Sequence, residues 1–293
     1  MKPLKQLLIT LYAIFNITSI LTAQNINSVH TNDTLYVPIA LTIPAIDGLP
    51  NDECWQNIKW QPIDQVWMNY GDTLSSDDFT GAYKIVWSKE TNLLYFLAKT
   101  VDDVFVDGYV YNEDPAIAKD YPDYDILEVF IDEDQSGGNH VFNGEGETAK
   151  EWGTNSSNAF SYHIVINAQQ DGETTNNVVV CDITGKDWTN YITINYADHF
   201  KSFTARKNGT ETVWEFAIAV YSDKYNFQNP ANSRVLLSPN KKMGISLAYC
   251  DNDGLNENPK TRDNFIGSVF VEQPAFNDHW KNADGYRRVV LIK

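Results

Sequence analysis

Along most of the chain, apolar positions recur every second residue over short stretches. Turn-forming Asn, Asp, Gly and Pro separate these stretches. Strands are predicted over 35–42, 83–87, 93–100, 126–132, 160–167, 178–181, 191–196, 202–206, 212–220, 243–249 and 288–292. In 93–100, Leu94, Phe96 and Ala98 share one face, and Tyr95 and Leu97 share the other. In 212–220, Val213, Glu215, Ala217 and Ala219 alternate with Trp214, Phe216 and Ile218. Helical spacing is confined to 51–60, where Cys54, Trp55 and Ile58 share a face for a turn or two. Many short strands and few short helices predict an all-β fold, an antiparallel β-sandwich of jelly-roll type. No Gly/Ser/Pro-rich linker interrupts the pattern, so 36–293 is expected to be one domain behind a polar lead-in at 24–35.

The start of the chain has a different pattern. Lys2 and Lys5 precede an apolar run from Leu7 to Leu21, and Leu21-Thr22-Ala23 ends on a small residue. This predicts a secretory signal peptide over 1–23, cleaved before Gln24, with an uncleaved anchor as the alternative. The run is short for a membrane span and no second one follows, so an integral membrane segment is not expected after cleavage. The protein is expected to be secreted or periplasmic, or held at the cell surface.

The formal charge of −17 makes phosphate backbones and anionic lipid poor partners, so nucleic acid is not expected. Neutral ligands and divalent cations suit such a surface, although acidic charge also serves solubility alone. The three cysteines, Cys54, Cys181 and Cys250, form no CxxC and are odd in number, which argues against a disulfide framework. A monomer is expected.

Five segments carry candidate chemistry. Ile46-Asp47-Gly48-Leu49-Pro50-Asn51-Asp52-Glu53-Cys54-Trp55 combines a tight turn with Asn51 or Asp52 as a helix cap and Trp55 as a core pin, a structural motif. In 123–132, Ile126, Glu128, Phe130 and Asp132 share one strand face, so Glu128 stands among apolar neighbours and needs partners. Asp132, Asp134 and Ser136, before Gly137, offer alternating oxygen donors to a hard cation such as calcium, or make an acidic hairpin turn. The same choice holds for Asp251 and Asp253 before Gly254. In Phe276-Asn277-Asp278-His279-Trp280-Lys281-Asn282, an indole sits in a polar loop. It is either a platform for a sugar ring, with Asn277 and Asp278 on the hydroxyls, or a hydrophobic plug. No GxSxG, HExxH, P-loop or GxGxxG occurs. Asp125 and Glu128 are three apart on a strand and point to opposite faces, a poor geometry for a glycosidase acid pair.

From about Ile46 to Lys293 the chain resembles the family 9 carbohydrate-binding modules, often attached to xylanases. The resemblance rests on IDGLPNDECW, KIVWSKETNLLYFLAKTVDD, DYDILEVFIDED, VWEFAIAV, MGISLAYCDNDG and the closing HWKNADGYRRVVLIK, in that order. It implies a β-sandwich with bound calcium and a terminal sugar clamped between two Trp rings. Position by position, it implies sugar-binding roles for Trp280, Asn277, Glu128, Asp102 and Asp125. The first clamp Trp is missing just before Asp125, where Tyr121 or Tyr124 would substitute. His163 stands where the family often has Arg, and Ala248 where an amide would enter the site. Arg262 would replace the lost cation. The expected protein is therefore a non-catalytic carbohydrate-binding protein acting in carbohydrate catabolism on a plant-type or other glycan. A glycoside hydrolase or hydrolase-associated subunit is the first alternative. An interaction sandwich that has lost sugar binding is the second.

Overall fold

The computed structural model describes residues 33–70, 73–109, 123–138, 159–166, 169–170, 173–174, 179–185, 191–222, 224–225, 229–254, 262–272 and 277–293, with backbone alone for the strands between 169 and 195. The predicted signal peptide, Tyr121 and most of the lead-in lie outside these residues. In chain order the first strands are β1 Leu35–Pro38, β2 Gln61–Ile63, β3 Gln65–Asn69, β4 Phe79–Ser88, β5 Leu93–Asp102, β6 Ile126–Asp132, β7 Phe160–Val165 and β8 Gln169–Gln170. They continue with β9 Glu173–Thr174, β10 Val179–Gly185, β11 Tyr191–Asn195, β12 Phe200–Asn208, β13 Glu211–Ile218, β14 Lys242–Asp251, β15 Asn264–Gly267 and β16 Arg287–Ile292. One short helix, α1 Glu53–Gln56, precedes β2.

The strands form a β-sandwich. The larger sheet runs β1-β16-β14-β6-β7-β10-β11, with β15 and then β3 added beside β14. The smaller runs β12-β13-β5-β4-β2. Pairing in both is antiparallel except between β1 and β16. β14 is the hub: its first half pairs with β16, its second half with β15, and its other edge with β6. β1 is shorter than predicted because its partner ends at Ile292, opposite Pro38. β4 starts earlier than predicted because β5 continues to Asp102 and pairs back to Phe79.

Alternation decides the faces. Leu94, Phe96 and Ala98 of β5 meet Leu127, Val129 and Ile131 of β6 in the core between the sheets. Tyr95 and Leu97 face outward, where Trp55 of α1 covers them. The Ile46–Trp55 motif is structural, as its pattern predicts. Glu215 projects into it from β13 and accepts from Trp55 Nε1 at 2.9 Å and from the amides of Asp47 and Gly48 at 3.0 and 2.9 Å. Gly48 has φ +73 at that turn, a conformation that favours glycine. The helix is one turn only, and Asp52 does not cap it: its carboxylate accepts from the amide of Ala45 instead.

The outer face of the larger sheet is also apolar. Ile126 and Phe130 of β6, Ala248 and Cys250 of β14, Phe265 of β15 and Trp67 of β3 form a second buried cluster there. Trp67 lies so close over β15 that a Cβ at Gly267 would stand 1.9 Å from its ring. Its Nε1 donates to the carbonyl of Val269 at 2.8 Å, and His279 stacks on it at 4.2 Å.

Candidate functional site

Glu128 sits in the middle of this outer face. On β6 it stands between His163 of β7 and Ala248 of β14, and it is 1% exposed. An acid buried among Ile126, Phe130 and Ala248 needs polar partners. Two are direct. The Cys250 thiol donates to Glu128 Oε1 at 3.1 Å, and His163 Nε2 lies 3.6 Å from Oε2. Oε2 itself has no hydrogen-bond partner. His163 was aligned to this site by resemblance, and the strand register places it there.

Arg262 enters from just before β15. Its Nη1 donates to Cys250 Sγ at 3.2 Å and its Nη2 to Asn277 Oδ1 at 3.0 Å. The guanidinium carbon lies 4.0 Å from the centroid of the Phe265 ring, a cation–π contact. Arg262 Nε is buried without a partner. Glu128, His163, Arg262 and Asn277, selected from the sequence for one site, are thus brought together by four separate segments.

Trp280 follows Asn277 by one turn of loop and packs, half-buried, against the rim of the outer cluster. Lys281 reaches over its ring at 5.7 Å and pairs with Asp278 at 2.8 Å. The ring is thus half-buried, packed on the cluster with Lys281 over it. Tyr124 packs on the same cluster, edge-on to Tyr109 at 5.7 Å. Met68 and Tyr70, which the sequence did not single out, also border it. Tyr70 Oη donates to Met68 Sδ at 3.0 Å, and Arg262 Nη2 lies 3.9 Å from the same sulfur.

Asp102 and Asp125, which resemblance matches to the sugar site, lie apart from this group. Ile126 points outward, so Asp125 before it turns inward, as does Asp251 after Cys250. Asp102 arrives at the end of β5 in the opposite sheet, and the three carboxylates converge within 4.8 Å. Asp102 accepts from Tyr249 Oη at 2.7 Å and from the Val104 amide at 3.1 Å. Asp125 accepts from the amides of Val106 and Asn252. Asp251 Oδ1 is buried without a partner. Burial, and then the charge of Asp102, push the carboxyls of Asp125 and Asp251 upward, Asp251 to about 8. Asp78, Asp103 and Asp253 form a second such group beside it, where Asp78 Oδ1 and Asp253 Oδ1 are also buried and unpartnered. An all-oxygen set with orphaned acceptors, whose raised carboxyls hold protons that a cation would displace, fits a hard divalent cation.

Asp132, Asp134 and Ser136 lie together at the end of β6 and in the turn after it. Asp132 Oδ1 accepts from the amides of Asp134 and Gln135, and its Oδ2 from Gly137 at 2.8 Å. Asp134 accepts from the amide of Ser136 at 3.0 Å. The turn is closed by its own backbone donors, the arrangement of an acidic hairpin turn.

A two-sheet sandwich with buried polar groups and a half-buried indole beside the outer face of its larger sheet defines an architectural class. Within it, the chain belongs to the carbohydrate family 9 binding domain-like family, whose model matches residues 46–293. Among solved structures, it is similar to a carbohydrate binding module family 9 from Caldicellulosiruptor kristjanssonii in complex with cellotriose. That match has a TM-score of 0.53 and 18% identity, and covers 89% of this chain and 94% of that one. A structure of the module from that organism in complex with glucose gives a TM-score of 0.52 and 16% identity over 87% and 95% of the two chains. A putative carbohydrate-binding protein from Bacteroides uniformis gives 0.50 and 12%, over 88% and 98%. No curated protein matches the sequence.

Proposed function

We propose that this protein is a secreted, non-catalytic carbohydrate-binding protein that recognises a sugar terminus on the outer face of its larger sheet, in the breakdown of a glycan. One observation carries the reading. Arg262 Nε is a buried donor without a hydrogen bond, and Glu128 Oε2 is a buried acceptor that has only His163 Nε2 near it, at 3.6 Å, in a group that reaches Asn277. Sugar hydroxyls both give and accept protons, and a pyranose has an apolar C–H face for an indole. Family membership and the glucose and cellotriose complexes of the similar modules support it. The separation of Asp125 from Glu128 by the plane of the sheet supports binding over hydrolysis. We further propose calcium at the Asp102–Asp125–Asp251 group, joining the two sheets at one end. Secretion rests on the predicted leader.

The test is calorimetric titration with glucose, xylose, galactose, mannose and cellotriose, beside retention on insoluble glycan. The wild-type protein is expected to bind at least one of these sugars. Trp280→Ala should weaken that binding by about tenfold or more, as for an anchor residue in a binding site. Its melting temperature should change little, because Trp280 sits at the rim rather than in the core. Equal binding by the variant would remove Trp280 from the site.

A further inference from the structure

Cys250 is the buried group that sugar binding does not use directly, and its position gives it a task. It lies on β14 two residues beyond Ala248, on the same outward face, and is 0% exposed. Its sulfur is 3.1 Å from Glu128 Oε1 and 3.2 Å from Arg262 Nη1. A thiol has one proton to give and lone pairs to accept with, so a neutral Cys250 satisfies both neighbours at once. Burial, the largest cause, holds the thiol well above its ordinary range and hence protonated.

Without that sulfur, a guanidinium and a carboxylate this near would close into a direct fork-to-fork pair. With it, they are held one atom apart. Arg262 is further fixed by Asn277 on one nitrogen and Phe265 on its face. Each member keeps one atom without a hydrogen bond: Glu128 Oε2, an acceptor 3.6 Å from His163 Nε2, and Arg262 Nε, a donor. We infer that Cys250 is a positioning residue that keeps Glu128 and Arg262 apart as a matched acceptor and donor, selecting neutral sugar hydroxyls over charged sugars. One hydroxyl donates to Glu128 while another accepts from Arg262. A uronate carboxylate or an amino-sugar ammonium would be attracted by one of the two and repelled by the other, so the cost of desolvating its charge is not offset. The inference rests on the sugar-binding reading proposed above.

The experiment compares Cys250→Ser, which keeps a donor and acceptor, with Cys250→Val, which keeps bulk and loses both. Each is titrated with the tightest neutral sugar of the panel above, and with glucuronate and glucosamine. The wild-type protein should prefer the neutral sugar. Cys250→Val should bind it about tenfold or more weakly, the effect of leaving buried groups unsatisfied, and should discriminate less against the charged pair. Cys250→Ser should stay within about fivefold and keep the wild-type preference. If Cys250→Val binds and discriminates like the wild-type protein, or if Cys250→Ser loses the preference, the positioning role is wrong while sugar binding stands. If the wild-type protein binds none of the panel, the sugar-binding reading itself fails and takes this inference with it. Should Cys250→Val not fold, Cys250→Ser alone still decides through the preserved or lost preference.

Discussion

Glu215→Ala should destabilise the protein by about 3–5 kcal/mol, among the largest effects of any single substitution here. Glu215 is 0% exposed and holds three donors: the Trp55 indole and the amides of Asp47 and Gly48. Removing the carboxylate strands all three in a buried site, and each orphan costs about 1–3 kcal/mol. The loss also frees Trp55, which covers Tyr95 and Leu97 on the outside of the smaller sheet. In a domain of this size the melting temperature should fall by about 10 °C. Glu215→Gln keeps the shape and one acceptor and should cost about half as much. A thermal scan of both variants checks this. Equal melting temperatures for Glu215→Ala and the wild-type protein would show that the carboxylate does not anchor the entry motif.

Chelation is expected to have the next largest effect. Asp102, Asp125 and Asp251 come from both sheets, and three carboxylates within 4.8 Å need shared protons or a cation to offset their mutual repulsion. A cation bound to the native state at about a hundred times its Kd adds about 2.7 kcal/mol. EDTA should therefore lower the melting temperature by about 5 °C or more, and added calcium should restore it. The pH dependence follows from the raised carboxyls. A carboxyl with a raised folded-state pKa stabilises the metal-free protein at low pH, and that contribution is lost as pH rises through its folded-state value, about 8 for Asp251. Calcium must displace those protons, so the gap between calcium and EDTA should widen from about pH 5 to about pH 8. Asp251→Asn should narrow it. A gap that is absent at every pH would remove the cation from the account.

The sandwich was legible wherever a strand carries its own pattern. In β5 and β13 the two faces assigned by alternation are the two faces observed, because each side chain is buried by whichever layer lies on its side. β2, β3 and β15 escaped notice. They are three to five residues long, and their order comes from partners far away in the sequence. Trp67 of β3 is buried because Gly267 lets it lie flat on β15, which no local pattern reveals.

The site was legible to the same depth. Glu128 showed itself as an acid on an apolar strand face, and Trp280 as an indole in a polar loop. Resemblance matches Asp102 and Asp125 to the sugar site because it carries positions; the three-residue spacing already turned Asp125 away from Glu128, whereas the direction of Asp102 depends on the opposite sheet. Cys250 carries no signal in the sequence beyond its place at the end of a strand and the lack of a CxxC. Its partners stand 122 and 12 positions away, and only the pairing of β14 with β6 and β15 unites them.

The central claim is that a sugar occupies the outer face at Trp280, Arg262 and Glu128. Nitrogen-edited NMR during titration with the tightest panel sugar tests it most directly, because the Trp280 indole N–H and the Arg262 Nε–H report from two ends of the site. Both resonances should shift in step with the binding isotherm, while the buried indoles of Trp55 and Trp87 stay in place. Binding that leaves Trp280 and Arg262 unmoved would contradict the account and put the sugar elsewhere on the protein.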